Sequence, residues 1–436
     1  GTLDLSRPSW IFLEPDRLLK GAAGTDRVFV SSPVIDDDLN VYIQSSTGWV
    51  YALNARGQLR WSFTATSFFP GGLALLDDAL YTVTIDGTAF KIDKDTGIEV
   101  WNHRVALTAP IENHALIAIG STVLTACNLG PSADPTQWPG RPHSYGGGDA
   151  VCAIRTTDGS LIWTYSIAES SETTSYNQAP AVVGDAVLFS DRTGGVYSVS
   201  LVDGRELWRV PGPFLTSWTT GGLAVGPTGI VYAPANPSHP SKLEPGILRA
   251  FDLHSGAVLW SRRFHEGVNA KPAVGAVCCG EQPTHDRILP LAVVIAVGSN
   301  PSCDPLTQWS WLQQQLGLLP KHFGIVYALD AYNGSTIWTF NAPEHTGPCV
   351  GITAGDGCCP DMWGEPTIGA DGTVYVNWSG GQTMALRDAN GDGKVEPADP
   401  LEFSTYKHGL GSQSGTSIAP GLITMSNCKQ LLGYLS

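Results

Sequence analysis

Residues 326–338 read VYALDAYNGSTIW, and this pattern decides the fold. Its first half alternates apolar and polar residues, as a half-buried β-strand does. The polar stretch that follows ends in Gly334, a residue type that accepts the positive φ of a tight hairpin. A second strand then runs to Trp338. The pattern therefore predicts two antiparallel strands joined by a short turn.

The same pattern occurs five more times, so an internal repeat organises the chain. The other copies are VYALNARGQLRW (50–61), AFKIDKDTGIEVW (89–101), VCAIRTTDGSLIW (151–163), VYSVSLVDGRELW (196–208) and LRAFDLHSGAVLW (248–260). Two further strands precede each copy, such as SSPVIDD and then LNVYIQS before the first. Four antiparallel strands repeated in this way describe the blade of a β-propeller.

Two weaker units extend the count to eight blades. Residues 363–406 form one unit, in which Phe403 stands in place of the tryptophan, and residues 415–436 supply only three strands. The segment SRPSWIFL (6–13) puts Trp10 in the tryptophan position, so we expect this N-terminal strand to complete the last blade and leave no open edge. The prediction is an all-β, eight-bladed propeller of four-stranded antiparallel blades, one domain over residues 1–436. The predicted blades span residues 31–63, 69–105, 109–167, 178–210, 219–264, 269–340, 363–406 and 415–436.

Composition and charge narrow the function classes. Gly and Pro make up 50 + 30 = 80 of 436 residues, and only 15% are charged, whereas soluble proteins average about 25% charged residues. The net charge of −15 repels phosphate backbones, so a nucleic-acid partner is not expected. No apolar run approaches the ~18 residues of a transmembrane helix, so no membrane span is expected.

The repeat resembles the A-x-D-x-x-T-G-x-x-x-W signature of the pyrroloquinoline quinone (PQQ) dehydrogenase superfamily, the eight-bladed quinoprotein-like propellers. The resemblance covers essentially the whole chain and implies the propeller fold. That superfamily contains alcohol dehydrogenases and also propellers without a quinone that serve as binding or assembly scaffolds. The resemblance therefore leaves an enzyme and a binding module as alternatives.

The seventh unit contains an EF-hand-type calcium loop. Asp388, Asn390 and Asp392 supply oxygens at positions 1, 3 and 5, and a glycine follows at position 6. This spacing converges oxygens on a hard cation. Lys394 would add its backbone carbonyl, Glu396 would act directly or through water, and Asp399 would take position 12. No helix pair is expected around the loop, so we predict a structural calcium site, the alternative being a surface turn without an ion.

The resemblance also implies residues for a quinone site. In the dehydrogenases, PQQ lies between a tryptophan and a disulfide of adjacent cysteines, beside a calcium ion and a catalytic Asp. Transferred to this sequence, Asn300 would be a calcium ligand and Asp361 the general base that takes the proton of an alcohol. The other cofactor-binding candidates are Trp363, Cys358 and Cys359.

Several features favour the alternative, in which these segments are structural. The adjacent cysteines do not precede the Asn segment as they do in the dehydrogenases, and the active-site Glu has no clear counterpart. NLGPSADPTQW (128–138) also duplicates NPSCDPLTQW (300–309). A doubled motif indicates equivalent loops after equivalent strands.

Nine cysteines and two sequons indicate an oxidising compartment. Cys127 and Cys152 lie on successive predicted strands, and we expect them to form a disulfide across the sheet. The sequons predict N-glycosylation at Asn333 and Asn377. Because the sequence starts at Gly1 without a Met, a removed signal peptide is expected. The predicted location is therefore extracellular or periplasmic.

The first functional prediction is a secreted, calcium-binding propeller that serves as a binding or assembly scaffold for protein or glycan partners. Self-assembly into a homo-oligomer or a fibre belongs to this prediction, because the Trp10 strand could complete the blade of a neighbouring copy. The alternative is a PQQ-dependent alcohol or sugar dehydrogenase.

Overall fold

A computed structural model describes residues 4–15, 29, 31–69, 71–109, 116–129, 148–166, 180–214, 219, 221–237, 245–278, 280, 289–298, 316, 321–346, 363–378, 380–412 and 414–435. The strands form eight four-stranded antiparallel sheets arranged as an eight-bladed β-propeller. The predicted fold is thereby confirmed.

The first four blades each consist of four strands that are consecutive in sequence. Their strands are, in order, Val34–Ile35, Val41–Ser45, Trp49–Leu53 and Leu59–Thr64; Ala74–Leu76, Ala79–Val83, Thr88–Asp93 and Glu99–Arg104; Ile117–Ile119, Thr122–Cys127, Ala150–Arg155 and Leu161–Ser166; and Ala181–Val183, Ala186–Ser190, Val196–Ser200 and Glu206–Val210.

Blades 5 to 7 repeat this order, and blade 8 takes its outer strand from the N-terminal region. Their strands are Ala224–Val225, Ile230–Ala235, Ile247–Asp252 and Val258–Arg263; Ala273–Ala276, Leu291–Gly298, Gly324–Asp330 and Thr336–Asn341; Thr367–Ile368, Val374–Trp378, Gln382–Leu386 and Phe403–Lys407; and Thr416–Ala419, Leu422–Ser426, Gln430–Leu435 and Trp10–Leu13. A separate ribbon pairs Lys321–His322 with His345–Thr346.

The hydrophobic core lies between the blades. Each of the eight core clusters found among the described residues joins two consecutive blades, and one of them joins blade 8 to blade 1. The second and third strands of a blade are buried on both faces, as in Val41–Ser45, whereas outer strands such as Leu59–Thr64 alternate in exposure. First strands of neighbouring blades contact each other, which places them at the centre of the ring.

A tryptophan lock joins six of the blade junctions. In each lock, the indole of one blade lies over a glycine of the next blade, and its N–H donates to a backbone carbonyl of the same turn. The pairs are Trp10–Ala55, Trp61–Lys94, Trp101–Thr156, Trp163–Leu201, Trp208–Leu253 and Trp260–Ala331, at 2.8–3.2 Å. The repeated tryptophan therefore holds neighbouring blades together.

The lock glycines satisfy two requirements at once. Gly97, for example, has φ 72°, a conformation that side chains with a Cβ adopt at a cost. A Cβ on it would also lie 2.6 Å from the ring of Trp61. The turn of the repeat thus needs glycine both for its backbone and for the indole above it.

The Trp10 lock closes the ring. Trp10 pairs with Gly433 in blade 8, and its indole reaches Ala55 in blade 1. Ser9 and Leu435 add a bond of 2.9 Å between the two ends of the described chain. The predicted completion of the last blade by the N-terminal strand is confirmed.

The expectation that Phe403 replaces the tryptophan of blade 7 is wrong by one residue. In the other blades the tryptophan lies opposite the residue equivalent to Ala52, and in blade 7 that residue, Ala385, lies opposite Ser404. The Ser404 hydroxyl accepts a bond from the backbone N–H of Leu5 at 2.8 Å. Leu5 is fully buried between blades 7 and 8. The N-terminal segment therefore fills the junction that has no tryptophan.

Candidate functional site

The two faces of the ring carry different connections. In an antiparallel blade, the first-to-second and third-to-outer connections leave one face, which we call the turn face. The second-to-third connections and those to the next blade leave the opposite face, which we call the insertion face. The long connections 14–33, 128–149, 299–323 and 342–366 all belong to the insertion face, whereas only 277–290 and 387–402 are long on the turn face.

Most of the predicted quinone-site residues fall outside the described part of the chain. They are Asn300, Asp361, Cys358 and Cys359. The described residues that flank them meet at the insertion face, because the Trp363 indole N–H donates to the Val297 carbonyl at 3.0 Å. The fold therefore brings the bases of these two connections together.

Trp363 is the predicted cofactor residue that the structure describes. Its side chain is only 3% exposed and belongs to the core between blades 6 and 7. The ring lies 4.3 Å from the ring of Trp378. A planar cofactor would need an open ring face, and Trp363 offers none. Trp363 itself therefore presents no stacking face to a quinone.

The described cysteines have separate roles. Cys127 and Cys152 form the predicted disulfide, with their Cα atoms 6.0 Å apart, and Cys428 is also disulfide-bonded. Cys278 is a buried free thiol. It therefore does not form a disulfide ring with its neighbour in sequence.

The sequon at Asn377 is not a glycan site in this fold, which corrects the prediction. Asn377 is 1% exposed, its amide N–H donates to the Ser414 carbonyl at 2.8 Å, and its amide oxygen accepts from Thr383 at 2.7 Å. A glycan has neither the space nor the free amide there. Asn333 lies exposed in a turn of blade 6, and its glycosylation stays a prediction.

The bonds of Asn377 extend to His408 at the insertion face, a histidine that no sequence spacing distinguishes. His408 Nδ1 accepts from the backbone N–H of Leu410 at 3.3 Å, so its proton lies on Nε2, 3.4 Å from the Thr383 hydroxyl. Burial lowers the pKa of His408 to about 4. The ring is therefore neutral at physiological pH, and it holds the connection that follows blade 7 against Thr383 of that blade.

The predicted calcium loop occupies the third-to-outer connection of blade 7. Its first three oxygen residues each turn back onto the loop. Asp388 accepts the N–H of Gly391 and of Gly393 at 2.8 and 3.1 Å, Asn390 accepts that of Asp392, and Asp392 accepts that of Lys394. These bonds hold the loop in a tight coil around the Asp388 carboxylate.

The other predicted ligands lie at the loop's exterior. Lys394 and Glu396 have exposed side chains. The Asp399 carboxylate accepts the backbone N–H of Leu401 at 2.8 Å, so it caps the turn after the loop. For Lys394, the predicted ligand is the backbone carbonyl and not the side chain.

Glu402, which the motif did not include, is the buried acid of this region. It is fully buried, and its two oxygens accept the N–H groups of Ala389, Asn390 and Glu396 at 2.9–3.1 Å. Desolvation raises the pKa of Asp388, and the negative charges of Glu402 and Asp392 raise it further. In the sequence, Glu402 is distinguished only by its position between the apolar residues Leu401 and Phe403, just before a strand.

The loop combines side-chain oxygens and backbone carbonyl oxygens as possible metal ligands. No group of three His, Cys, Asp or Glu side chains within the described ranges converges closely enough to hold a metal ion. The donor set of the loop also includes an Asn side chain and backbone carbonyls, which suit calcium. Asp388 and Glu402 form no ion pair with a described basic residue, so a cation fits the charge of the site.

Solved structures share the fold at low sequence identity. BamB from Moraxella catarrhalis matches with a TM-score of 0.59 and 14% identity, over 98% of this chain and 100% of that one. The quinohemoprotein alcohol dehydrogenase ADHIIG from Pseudomonas putida HK5 matches with a TM-score of 0.60 and 13% identity, over 99% of this chain and 76% of that one. These likenesses concern the fold alone.

A curated relative is the tetrathionate hydrolase of Acidithiobacillus ferrooxidans, which is 20% identical in an alignment that covers 53% of this chain. The chain spans 59% of the length of that relative. The described residues include no helix of the length and hydropathy that a membrane span requires. Residues 19–262, more than half of the chain, match the family described as outer membrane protein assembly factor BamB. The PQQ-like propeller expected from the repeat is thus confirmed, and the chain belongs to this family.

Proposed function

We propose that this protein is a propeller scaffold that binds protein partners through its insertion face. The observation that carries the proposal is the unequal distribution of long connections between the two faces. Loops on a rigid scaffold are where binding residues concentrate, and the long connections here leave and rejoin the blades at one face of a closed ring. Membership of a family named for an assembly factor supports protein partners over glycans.

A photo-crosslinking experiment tests the choice of face. A crosslinking amino acid is placed at Leu107 or Phe323, which are 46% and 50% exposed and belong to insertion-face connections. Matched control positions are Val202 and Tyr332, which are 70% and 58% exposed in turns of the opposite face. We expect one discrete adduct from the insertion face in the native host. An adduct obtained only from the turn face would overturn the proposal.

We place the protein outside the cytoplasm, in the periplasm or beyond it. The Cys127–Cys152 disulfide and the disulfide of Cys428 support this location, because such bonds persist in oxidising compartments. Alkylation of the protein taken directly from cells tests the location. Free thiols at Cys127 and Cys152 would contradict it.

We also propose that residues 388–402 bind a structural calcium ion. Asp388, Asn390 and Asp392 would hold it together with the Lys394 carbonyl, and the uncompensated charge of the buried Asp388 and Glu402 carboxylates supports a cation there. Calorimetric titration of the chelator-stripped protein checks the proposal. Absence of heat at millimolar calcium would remove it, and Asp388→Asn should abolish the signal.

A second candidate function is a PQQ-dependent alcohol or sugar dehydrogenase. The contact between Trp363 and Val297 favours it, since these residues flank Asp361 and Asn300. Reconstitution with PQQ and calcium, followed by dye reduction with alcohols, tests this function. Quinone absorbance and activity that Asp361→Asn abolishes would establish it, and absence of both in the wild type would exclude it.

Self-assembly is part of the scaffold proposal. Because the strand Trp10–Leu13 is held in blade 8 without a chain connection to that sheet, a second copy could supply it. Size-exclusion chromatography compares the intact protein with a variant that lacks residues 1–12. Identical monomeric profiles would end this idea.

A further inference from the structure

The junction between blades 6 and 7 departs from the tryptophan lock. In all six locks, the acceptor carbonyl lies three residues after the residue that faces the tryptophan of its own blade, as Ala55 follows Ala52. In blade 7 that position is Asp388, the first residue of the calcium loop. The Asp388 carbonyl accepts the N–H of Gly280 at 2.8 Å instead.

Trp338 occupies the lock position of blade 6, but no described carbonyl of blade 7 accepts its indole N–H. It is fully buried, and its indole N–H has no hydrogen-bond partner among the described residues. An unpaired buried donor is unfavourable, because its hydrogen bond to water is lost without replacement. This junction therefore lacks the hydrogen bond that ties the six locked junctions.

The calcium loop supplies other bonds at the same place. The Thr339 N–H donates to the Gly393 carbonyl at 3.1 Å, and the Val395 N–H donates to the Thr339 carbonyl at 2.9 Å. Val395 is buried in the same core cluster as Trp338. The loop of blade 7 thus pairs with the outer strand of blade 6, next to the tryptophan that has lost its lock.

The loop's acidic residues set the position of these bonds. The Asp388 carboxylate accepts the Gly393 N–H at 3.1 Å, so it holds the residue whose carbonyl meets Thr339. Glu402 accepts the N–H of Glu396, next to Val395, at 2.9 Å. Repulsion between these two buried carboxylates opposes the docked loop, and a cation bound between loop oxygens relieves it.

We propose that residues 388–402 form a calcium-dependent clasp that replaces the tryptophan lock between blades 6 and 7. This inference rests on the proposed calcium site and adds what the ion controls. The two blades also carry the insertion-face connections 299–323 and 342–366. The clasp therefore couples calcium to the junction from which these connections arise.

Two variants separate the clasp from calcium binding itself. Thr339→Pro removes the N–H that meets Gly393, and an outer strand tolerates proline when that N–H points away from its sheet. Thr339→Ala keeps the N–H and is the matched control. Should Thr339→Pro fail to fold, Val395→Pro removes the other bond of the clasp from the loop side.

The measurements are calcium affinity by calorimetry and hydrogen–deuterium exchange of residues 336–341. In the wild type, we expect calcium to slow exchange of the Thr339 amide about tenfold. Coupling is reciprocal, so Thr339→Pro should weaken calcium binding about tenfold, while Thr339→Ala stays within about twofold of the wild type.

The outcomes distinguish the two proposals. Absence of calcium binding by the wild type would overturn both the site and the clasp. Calcium binding without slower exchange of the Thr339 amide would overturn the clasp alone. Equal calcium affinity in the Pro and Ala variants would also overturn the clasp.

Discussion

A single glycine in each repeat fixes both a turn and a blade junction. At Gly97, an alanine would adopt φ 72° and press its Cβ to 2.6 Å from the Trp61 ring. The left-handed backbone costs about 1–2 kcal/mol, and overpacking adds about 1–3 kcal/mol. We expect Gly97→Ala to lower the free energy of unfolding by about 2–4 kcal/mol, measured by urea denaturation.

Gly184 provides the matched control for this prediction. It also has a positive φ, 57°, but nothing lies within 4 Å of the Cβ that an alanine would add. Gly184→Ala should therefore lose only the backbone contribution of about 1–2 kcal/mol. Equal losses in the two variants would show that the indole contact contributes nothing.

His408 predicts a pH dependence of stability. Its pKa is about 4 in the folded protein and about 6.5 in an unfolded chain. Between these values the unfolded chain binds a proton that the folded protein does not, so stability falls as the pH falls from 6.5 towards 4. The loss reaches about 2–3 kcal/mol at pH 4.5.

Comparison with His408→Gln isolates this effect from the titration of carboxylates. The variant keeps a polar side chain that does not titrate in this range. Its free energy of unfolding should therefore decline less between pH 7 and 4.5 than that of the wild type. Parallel decline of the two proteins would contradict the prediction.

At the scale of residues, the sequence predicted the pattern of polar side chains better than it predicted which of them are buried. The spacing of the three oxygen-bearing side chains from Asp388 to Asp392 predicted a calcium loop. The structure shows these three side chains accepting backbone N–H groups of the loop, and calcium binding stays a prediction. The motif did not include Glu402, which lies under its own loop. The burial of Asn377 was not predicted because it depends on Ser414, 37 residues away in sequence.

At the scale of elements, the disulfide of blade 3 ties its second strand to its third strand. The Cys127–Cys152 bond closes a segment of 25 residues that includes the connection 128–149. Closing a loop of that length stabilises a protein by about 3–4 kcal/mol in the chain-entropy account. We expect Cys127→Ala/Cys152→Ala to lose about that amount in guanidinium denaturation.

Chemical reduction gives an independent check of this prediction. Reduction breaks the Cys428 disulfide in both proteins, so the wild type and the double alanine variant should have the same stability when both are reduced. The wild type should therefore lose more stability on reduction than the variant does. A reductant effect of the same size in both would assign the stabilisation to Cys428 instead.

The strands were predictable because most blades copy one hydrophobic pattern. The outer strand of blade 7 was placed one residue too early for a specific reason. In the six blades that carry the full signature, a bulge shifts the register between the third and outer strands. Blade 7 keeps a continuous register after its longer connection. Nothing in the sequence of blade 7 indicates that its outer strand lacks this bulge.

At the scale of the whole molecule, the junction between blades 8 and 1 depends on the strand Trp10–Leu13, which no turn connects to the rest of its sheet. Trp10 and Trp101 make equivalent locks, but only Trp10 sits on a strand that no turn joins to its sheet. We expect Trp10→Ala and Trp101→Ala each to lose about 2–4 kcal/mol of stability. Only Trp10→Ala should also associate at increasing concentration, because it frees the Gln430–Leu435 edge.

Size-exclusion chromatography over a range of concentrations, together with denaturation, measures both effects. Trp101→Ala is the control, since its blade stays connected to the ring on both sides. Association of both variants to the same extent would contradict the special role of the closing strand.

The number of blades and the ring closure could be read from the repeat, because seven of the eight blades carry the tryptophan. Which residues of the insertion face approach each other could not be read, since propeller sites draw on connections from several blades. The contact between Trp363 and Val297 depends on how two blades pack and has no local signature.

The closing strand Trp10–Leu13 also affects the order in which the strands of the ring can pair during folding. Leu435 meets Ser9 across 426 residues of chain, so the described strand that is synthesised first is the last to find its place. Such distant pairing is slow, and until it forms both ends of the blade series expose unpaired edges. A polypeptide that stops before residue 430 can never close the ring. Closure therefore distinguishes a chain that contains both strands from a fragment that lacks either one.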